Sequence, residues 1–553
     1  MMKKRIPKII AIVSIAISSI FTVGFTESYF EVSKNLDIFA TLFRELNIYY
    51  VDDAVPGDLM KTGIDAMLES LDPYTNYIPE SKMEDYKMMT TGQYGGIGAV
   101  IQTKGGHVII AEPYEGFGAD KAGLMAGDKI MKIDGNDASG KNSSEIREFL
   151  LGQPGTTIEL VIERPGTTDL ITKIVTREEV KIKDVPYADM VTDSIGYIRL
   201  SGFTESASTE VKSALTELKN RGANKIVLDL RGNGGGLLRE SVNIVNLFVE
   251  KGTPVVSTKG KIKDWDKEYK ALNDPIDTEI PLVILINNNS ASASEIVSGS
   301  LQDNDRAVVM GTLSFGKGLV QNVIPLSYNS KLKLTVAKYY TPSGRCIQKL
   351  DYSNKNAKGK ADAIPDSLIT EFKTVNSKRP VFDGKGVAPD IEVKNKVLSN
   401  ISTSLLLKSL FFDFATAYKL KHDSIVPVEK FNLTESEYEE FVEFLSDKDY
   451  EYTTESEDLL VSLEKAAKKD EYYEDVKAEY EALKNKLNHN KKGDLYKFKA
   501  EISRILESEI VSRYYYQTGQ IKASLKHDIT LKEAIKTLND KALYNSILAG
   551  NNQ

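Results

Sequence analysis

The stretch LVILINNNSASASEIVSGSLQD, which runs from Leu282 to Asp303, indicates the fold class most directly. Five consecutive apolar residues followed by small polar residues are typical of a buried strand that ends in a turn. Glu295 follows Ser292 by three residues, the spacing of a capping box, and the apolar residues beyond it favour a helix. The segment therefore predicts a strand–turn–helix unit of an α/β core.

Further strand and helix patterns flank this stretch. Upstream lie the strand pattern IGYIRL, the helix pattern STEVKSALTELKNRG and the strand pattern KIVLDL, which runs into a glycine-rich loop. Downstream lie RAVVMG, LVQNVIPL and LKLTVAKYY, all typical of strands. Strand–helix alternation of this kind predicts an α/β core over residues 178–395.

Composition and periodicity divide the rest of the chain, whose 553 residues are enough for about three to five domains. Helical periodicity predicts an N-terminal helical region at 27–90. Short alternating strands with one helix predict a small β-rich domain at 91–177. Charged, tyrosine-rich helical patterns predict a C-terminal helical region at 396–553, in which no catalytic constellation is evident.

The first 26 residues have the pattern of an export signal or membrane anchor. Lys3, Lys4, Arg5 and Lys8 precede an apolar run from Ile9 to about Phe25. No A-x-A cleavage site is evident, which favours an uncleaved anchor over a cleaved signal. The positive-inside rule then predicts a cell-envelope protein on the periplasmic side of the inner membrane, either anchored or released by cleavage.

The overall composition excludes several classes of function. A net charge of −8 argues against nucleic acid as a partner, because such proteins need a basic surface. The single cysteine, Cys346, permits neither an internal disulfide nor a cysteine-based zinc site. The full chain has 41% hydrophobic and 27% charged residues, which is the ordinary composition of a soluble globular protein.

Three serines in the turn are candidate nucleophiles: Ser290, Ser292 and Ser294. A serine at a strand-to-helix turn is exposed and faces the positive end of the helix. Each of the three could equally well serve only as a helix cap. Spacing alone does not distinguish these alternatives.

A nucleophilic serine needs a base, and the core contains no histidine between His107 and His422. The remaining candidate is Lys317, which two glycines flank. A lysine base must be neutral, so its pKa has to be lowered by burial from about 10.4 to about 7. Gln321 lies four residues later, and positions four apart share a face on a strand and also on a helix, so its amide could hold the lysine amine in place. Alternatively, Lys317 is an exposed lysine in a turn, and Gln321 is a polar residue at a strand edge.

The glycine-rich loop follows the strand pattern KIVLDL and reads DLRGNGGG from Asp229 to Gly236. Loops of this kind present backbone N–H groups to an anion, either a phosphate or the oxyanion of acyl transfer. No G-K-[ST] follows, as a P-loop requires, and the G-x-G-x-x-G fingerprint is absent.

In combination these motifs are far more specific than any one of them. Gly95 to Gly98, PYEGFGADKAGLMAGDKIMKIDG, IGYIRLSGF, DLRGNGGG, SASASEI, LSFGKGLVQ, YYTPSGR and GKGVAPDI occur in this order. The chain resembles the carboxyl-terminal processing peptidases, also called tail-specific proteases, over about residues 60–395. The resemblance implies a PDZ domain ahead of a crotonase-like ββα peptidase core and a Ser-Lys dyad.

The resemblance also implies roles for particular residues. The nucleophile would be Ser292, the base Lys317, 25 residues later, and the orienting residue Gln321. The oxyanion hole would combine the N–H of Ala293 with one from the glycine loop, Gly236 in preference to Gly235. Asp303 matches an acidic position that supports the site without reacting. No metal or organic cofactor is implied.

The implied substrates are polypeptides with free, apolar C-termini. A PDZ domain adds a peptide as a strand to its sheet and binds the terminal carboxylate on backbone N–H groups. Gly96, Ile97, Gly98 and Ala99 would supply those groups. We therefore expect an envelope serine endopeptidase that cuts proteins near their C-termini.

Other functions and partners stay open at this level. A catalytically silent PDZ scaffold that recruits envelope proteins would share the domain pattern but would not require Ser292, Lys317 and Gln321. An acyl-CoA enzyme of crotonase type would share only the fold class. The terminal helices could form a homodimer, and the C-terminal helices could bind an adaptor or another envelope protein.

Overall fold

The computed structural model describes residues 29–356, 359–394, 396–487 and 491–551. They form two compact units, one up to Tyr77 and the other from Ile78 onward. The leader expected at residues 1–26 lies outside the described residues. In the part of the chain that is described, no helix combines the length and apolar character needed to cross a bilayer.

The N-terminal unit is helical, as the periodicity predicts. Helix α1 covers residues 29–49 and helix α2 covers Pro56–Glu69. Pro56 occupies the first turn of α2, where its missing N–H costs no hydrogen bond. The segment LDPYTNYIPE, which contains strand β1 (Asn76–Ile78), interrupts the helices, and Asp72 accepts hydrogen bonds from the N–H groups of Tyr74 and Thr75 there.

A small β-rich domain follows a short helix, and its sheet has the strand order β3-β4-β5-β7-β8. Ile110, Ile130, Leu160 and Ile162 lie fully buried inside it. The elements are α3 (Met83–Thr91), β2 (Gln93–Gly96), β3 (Ala99–Lys104), β4 (His107–Pro113), α4 (Gly118–Lys121), β5 (Lys129–Ile133), β6 (Asn136–Asp137), α5 (Ser143–Leu150), β7 (Thr157–Glu163), β8 (Leu170–Thr176) and β9 (Glu178–Lys181).

The α/β core is built on a six-stranded sheet of order β10-β11-β12-β15-β16-β23, in which every pair except β10–β11 is parallel. Its elements are β10 (Tyr187–Met190), β11 (Ile195–Arg199), α6 (Ala207–Asn220), β12 (Lys225–Asp229), α7 (Leu238–Asn246), β13 (Pro254–Gly260), β14 (Lys267–Lys270), β15 (Leu282–Ile286), α8 (Ala293–Asp303), β16 (Val308–Gly311), β17 (Leu319–Pro325), β18 (Lys331–Tyr340), β19 (Leu350–Lys355), β20 (Ala361–Ala363), β21 (Glu371–Lys373), β22 (Pro380–Phe382) and β23 (Ile391–Glu392).

Nine helices of the C-terminal region are described. They are α9 (Asn400–Leu407), α10 (Leu410–Lys421), α11 (Glu435–Phe444), α12 (Glu455–Lys469), α13 (Tyr473–Leu487), α14 (Lys491–Lys497), α15 (Lys499–Leu525), α16 (Ile529–Asn539) and α17 (Lys541–Leu548). Helix α15 is kinked, because Tyr515 and Tyr516 have non-helical backbone angles. Helices α10, α11 and α15 share one apolar core, to which Phe411, Phe441 and Leu506 contribute.

Both faces of the core sheet are covered, which explains the continuous apolar run from Leu282 to Ile286. On β12, Ile226 and Leu228 pack towards helices α6, α7 and α8. Val227 points to the opposite face, where α16 and α17 from the C-terminal region pack. The last two helices of the described chain are therefore a layer of the α/β core.

A second sheet beside the core carries β17, β18, β13 and β14 in that order. Strands β17 and β18 are antiparallel, with a bulge between Val320 and Gln321. This sheet matters for the site because Lys317 lies two residues before β17. The expected fold class, a mixed α/β chain with a small β domain and helical regions at both ends, is confirmed; the exact domain boundaries stay a prediction.

Candidate active site

Two loops meet at the carboxyl edge of the core sheet. Strands β12 and β15 are neighbours and parallel, with Asp229 opposite Leu285, so the loops that follow them emerge side by side. The Ala291 N–H donates to the Asn233 carbonyl oxygen at 3.0 Å. The Gly232 N–H donates to Asn287 Oδ1 at 2.9 Å. The glycine loop and the serine turn are thus joined by hydrogen bonds.

The three serines of the turn have different environments. Ser290 is fully buried, and its hydroxyl donates to the Leu230 carbonyl oxygen at 2.8 Å. Ser294 is also fully buried and donates to the Asn233 carbonyl oxygen at 2.9 Å. Ser292 lies between them and is only partly buried. Of the three candidates, it is the one a substrate can approach.

The backbone of Ser292 is strained. Its φ of 56° and ψ of −111° fall outside the extended region that a helix cap normally adopts. A non-glycine residue with such angles is rare and persists only where its surroundings hold it. The turn therefore presents the Ser292 side chain at the positive end of helix α8 under strain, as in a nucleophile elbow.

The carboxylate of Glu295 holds this turn and the lysine loop together. Its Oε2 accepts hydrogen bonds from the N–H groups of Ser292 and Lys317, at 2.8 and 2.9 Å. Its Oε1 accepts from the Ser314 hydroxyl at 2.5 Å and the Gly316 N–H at 2.7 Å. Glu295 is fully buried. Burial raises the pKa of its carboxyl above the usual range, and the four hydrogen bonds oppose that shift.

Tyr339 forms a second connection between the two loops. Its hydroxyl donates to the Ser292 carbonyl oxygen at 3.2 Å, and its N–H donates to the Gly318 carbonyl oxygen at 2.9 Å. The side chain is almost completely buried. Both peptide groups of Ser292 are thus fixed by groups that also contact the lysine loop.

Lys317 is partly buried between two buried glycines, Gly316 and Gly318. Gln321 lies on β17, and its amide nitrogen donates to Thr335 Oγ1 at 3.1 Å. The expectation that positions four apart share a strand face does not apply here. Lys317 precedes the strand, and the bulge before Gln321 breaks the regular alternation.

The glycine loop packs directly against the serine turn at Gly235. A Cβ on Gly235 would lie 2.7 Å from the Ala291 carbonyl oxygen and 2.9 Å from the Ala293 nitrogen. The Gly235 N–H is engaged, since it donates to Asn233 Oδ1 at 2.9 Å. Within the described chain, the N–H groups of Gly236 and Ala293 have no acceptor. Both N–H groups are therefore available for an oxyanion, whereas that of Gly235 is engaged, which favours Gly236 over Gly235.

Asp229 and Arg231 hold the start of the glycine loop. Asp229 is fully buried and accepts from the Tyr197 hydroxyl at 2.6 Å, Arg199 at 2.9 Å and the Arg231 guanidinium at 2.6 Å. Burial alone would raise the pKa of Asp229, but the two guanidinium groups outweigh it and lower the pKa to about 2. On its other side, Arg231 binds Asp528.

Asp303 lies at the far end of helix α8, about 16 Å from Ser292 at about 1.5 Å per residue. Its carboxylate accepts from Arg345 at 2.8 Å and from the Ser343 N–H at 3.0 Å. Asp303 and Arg345 are both almost completely buried. This geometry lets Asp303 anchor the helix that carries Ser292 and keeps it away from reacting atoms.

The loop from Gly96 to Ala99 is hydrogen-bonded to other parts of the small β domain. The Ile97 and Gly98 carbonyl oxygens accept from the N–H groups of Ala119 and Tyr114, at 2.7 and 2.8 Å. A trans peptide unit points its C=O and N–H in opposite directions. The N–H groups of Gly98 and Ala99 therefore point away from those donors. Gly96 pairs with Glu178 and contacts Leu151.

Sequence reasoning missed several residues of this site. Glu295 was visible only as a capping-box partner of Ser292, and its bonds to the lysine loop have no local signal. Tyr339 and Arg345 lie in the motif YYTPSGR without any indication of their contacts. Asp528 lies in a region where no catalytic constellation was evident.

Models of known protein families match three parts of the chain. Peptidase family S41 matches residues 194–353, and the PDZ domain matches residues 86–163. A family described as "Probable PDZ-protease, C-terminal helical domain" matches residues 401–538. The fold and these matches define a serine-type peptidase with a PDZ domain and a C-terminal helical domain.

Similar proteins carry related names. The carboxy-terminal-processing protease of Bartonella bacilliformis is 39% identical over 321 residues, which are 57% of this chain and 73% of that protein. The carboxy-terminal processing protease CtpA of Bacillus subtilis is 28% identical over 380 residues, which are 68% of this chain and 79% of that protein. The solved structure of a photosystem II D1 C-terminal processing protease, 28% identical, aligns with a TM-score of 0.35 over 65% of this chain and 93% of that one.

The chain belongs to peptidase family S41, among the carboxy-terminal-processing proteases. The resemblance noted in the sequence is thereby confirmed, as is the expectation of a serine-type peptidase.

Proposed function

We propose that this peptidase cuts polypeptides near their C-termini with Ser292 as the nucleophile and Lys317 as its base. One observation carries the proposal: a single buried oxygen, Glu295 Oε2, binds the backbone N–H groups of both residues. The loops that carry Ser292 and Lys317, which are 25 residues apart in sequence, are thereby held in one fixed arrangement. The names of the similar proteins support C-terminal processing as the class of reaction.

The chemistry follows from the groups in place. Neutral Lys317 takes the proton of the Ser292 hydroxyl as the oxygen attacks a peptide carbonyl. The N–H groups of Ala293 and Gly236 stabilise the tetrahedral oxyanion. Lys317 then gives the proton to the leaving amine, and a water molecule, activated in the same way, hydrolyses the acyl-enzyme.

Gln321 and Asp303 have supporting roles in this proposal. The Gln321 amide nitrogen is engaged with Thr335, so its Oε1 is the atom that would accept from the lysine amine and orient it. Asp303 anchors the C-terminal end of helix α8 through Arg345. Neither residue exchanges a proton with the substrate.

The PDZ domain would select the substrate by its free C-terminus. The N–H group of Gly98 points away from its domain's internal hydrogen bonds, which suits it to bind a carboxylate, and the adjacent Ala99 N–H faces the Tyr94 hydroxyl. Gly96 and Ile97 would complete this loop. The substrates would be polypeptides with apolar C-terminal tails.

We further propose the periplasmic side of the inner membrane as the site of action. The support is the basic start and apolar run of residues 1–25, which lie outside the described residues. Fractionation of cells that express the full chain with a C-terminal tag tests this: recovery in the cytosol would contradict it.

The dyad is tested by Ser292→Ala and Lys317→Ala with a synthetic peptide that has an apolar C-terminus. We expect each variant to lower kcat/KM by at least about a thousandfold, because the nucleophile and its base act as a unit. Ser298→Ala, on the same helix, and Lys338→Ala, an exposed lysine of β18, are the matched controls. Cleavage by Ser292→Ala at the rate of the unchanged enzyme would overturn the assignment.

Selection by the C-terminus is tested with the same peptide as free acid and as amide. The amide removes the negative charge that the PDZ loop would bind, so we expect a higher KM and little change in kcat. Equal KM values would contradict the PDZ part of the proposal and leave the dyad intact.

A further inference from the structure

The guanidinium of Arg231 lies between two carboxylates from distant parts of the chain. On one side its Nε and Nη2 donate to Asp229, at 3.0 and 2.6 Å. On the other side its Nη1 and Nη2 donate to Asp528, at 3.2 and 2.5 Å. Side chains of Arg231 and Asp528 are only 12% and 13% exposed, so water screens these contacts weakly.

Arg231 connects the end of β12 to the glycine loop. It follows the last strand residue, Asp229, by two positions and precedes Gly232 directly. Its orientation therefore sets the direction in which the loop leaves the sheet. The planar guanidinium can bind two carboxylates at once because its five N–H groups form a rigid fork.

Asp528 is itself held in place by the C-terminal helical domain. It is the N-cap of helix α16, and its Oδ1 accepts from the Leu531 N–H at 2.9 Å. Helix α16 packs on the core sheet through Leu531, Ala534 and Leu538. The carboxylate therefore cannot move away from Arg231 unless the helix shifts on the sheet.

We propose that Asp528 is a positioning residue for the oxyanion-binding loop and acts through Arg231. This role of Asp528 rests on the proposed function, since it assumes that the glycine loop binds the oxyanion. Stabilisation of an oxyanion depends on N–H groups that are already in place before the reaction. The C-terminal helical domain thus contributes one carboxylate to the site, and this carboxylate binds the edge of the Arg231 guanidinium formed by Nη1 and Nη2.

The test is Asp528→Asn in the full chain, with Asp540→Asn as the matched control. Asn caps a helix as well as Asp, so both variants keep their helices. Asp540 is also an N-cap, of helix α17, where it accepts from the Leu543 N–H, and it does not contact Arg231. We expect Asp528→Asn to lower kcat about 10- to 100-fold and to change KM by less than about threefold. Asp540→Asn should leave both constants unchanged.

A double-mutant cycle with Arg231→Lys identifies the route of the effect. Lysine cannot bind two carboxylates as a fork, so Asp528→Asn should cost much less in that background. Equal kcat values for Asp528→Asn and the unchanged enzyme, equal losses in Asp528→Asn and Asp540→Asn, or full additivity with Arg231→Lys would each overturn the proposal. If Asp528→Asn does not fold, Asp528→Ser, which also caps a helix, is measured in its place.

Failure of the proposed function would look different. In that case the unchanged enzyme would not hydrolyse the peptide, and Ser292 would not react with a fluorophosphonate probe that labels active serines. If instead the unchanged enzyme hydrolyses the peptide and is labelled, and Asp528→Asn has the same kcat, only the proposed role of Asp528 is contradicted.

Discussion

The backbone N–H groups of Ser292 and Lys317 donate to the same atom, Oε2 of Glu295, at 2.8 and 2.9 Å. Neither hydrogen bond involves a reacting atom, yet together they fix the relative position of the two loops that carry the proposed dyad. Positioning of this kind is a large part of what an enzyme supplies to a reaction, because small displacements of reacting groups slow it strongly.

Glu295→Gln is expected to lower kcat at least about a hundredfold. An NH2 group would replace one of the two carboxylate oxygens. Each oxygen now accepts from at least one backbone N–H, so at least one hydrogen bond is lost whichever way the amide turns. Glu240→Gln, a buried glutamate of helix α7 that accepts from the Ser208 N–H, is the control. The measurement is kcat for hydrolysis of the synthetic peptide with an apolar C-terminus. Equal kcat values for the two variants would show that Glu295 has no special role.

Gly235→Ala is expected to destabilise the core by about 2 kcal/mol or more. Gly235 has a φ of +97°, and an added Cβ would overlap the backbone of Ala291 and Ala293. Gly234→Ala is the matched control, because nothing lies within 4 Å of its Cβ position. Thermal unfolding by circular dichroism should show a lower midpoint for Gly235→Ala alone. Identical midpoints would mean that the two loops are not packed as described.

The contribution of Asp229 to the free energy of unfolding should decrease as the pH is lowered. Its folded-state pKa of about 2 is below the usual 3.8, so the contribution is present above pH 3.8 and is lost as the pH falls through 2. The shift corresponds to about 2 kcal/mol at neutral pH. The difference in thermal midpoint between the unchanged enzyme and Asp229→Asn should be constant from pH 7 to pH 5 and smaller at pH 3. A difference that grows towards pH 3 would contradict the assignment.

Tyr516→Phe is expected to loosen the PDZ domain from the C-terminal helical domain. At the kink of α15, the Tyr516 hydroxyl donates to Asp120 of the PDZ domain at 2.7 Å. Tyr514→Phe is the control, since its hydroxyl donates at 2.6 Å to the His422 carbonyl oxygen inside the helical domain. Hydrogen exchange of residues 107–121 should become faster in Tyr516→Phe only. Unchanged exchange would show that other contacts, such as the Lys104–Asp413 ion pair, are sufficient.

Sequence patterns were reliable where the information is local. The apolar run at Leu282–Ile286, the glycine loop after β12 and the helix of STEVKSALTELKN all form as expected, because strand and helix periodicity depend on near neighbours. The prediction that Lys317 and Gln321 lie on one face of a strand was wrong. Lys317 precedes β17, and a bulge shifts the register just before Gln321. A bulge leaves no clear mark in the letters LVQNVIPL.

The sequence by itself determined the α/β core, the absence of a core histidine and the order of motifs that marks a peptidase of this family. Only the tertiary structure decided which serine of the turn is accessible, because Ser290 and Ser294 are buried by a loop that follows a different strand. Only the tertiary structure joined Arg231 to Asp528, 297 residues away. The physical reason is that such contacts depend on how helix α16 packs on the sheet, and no short stretch of sequence encodes that packing.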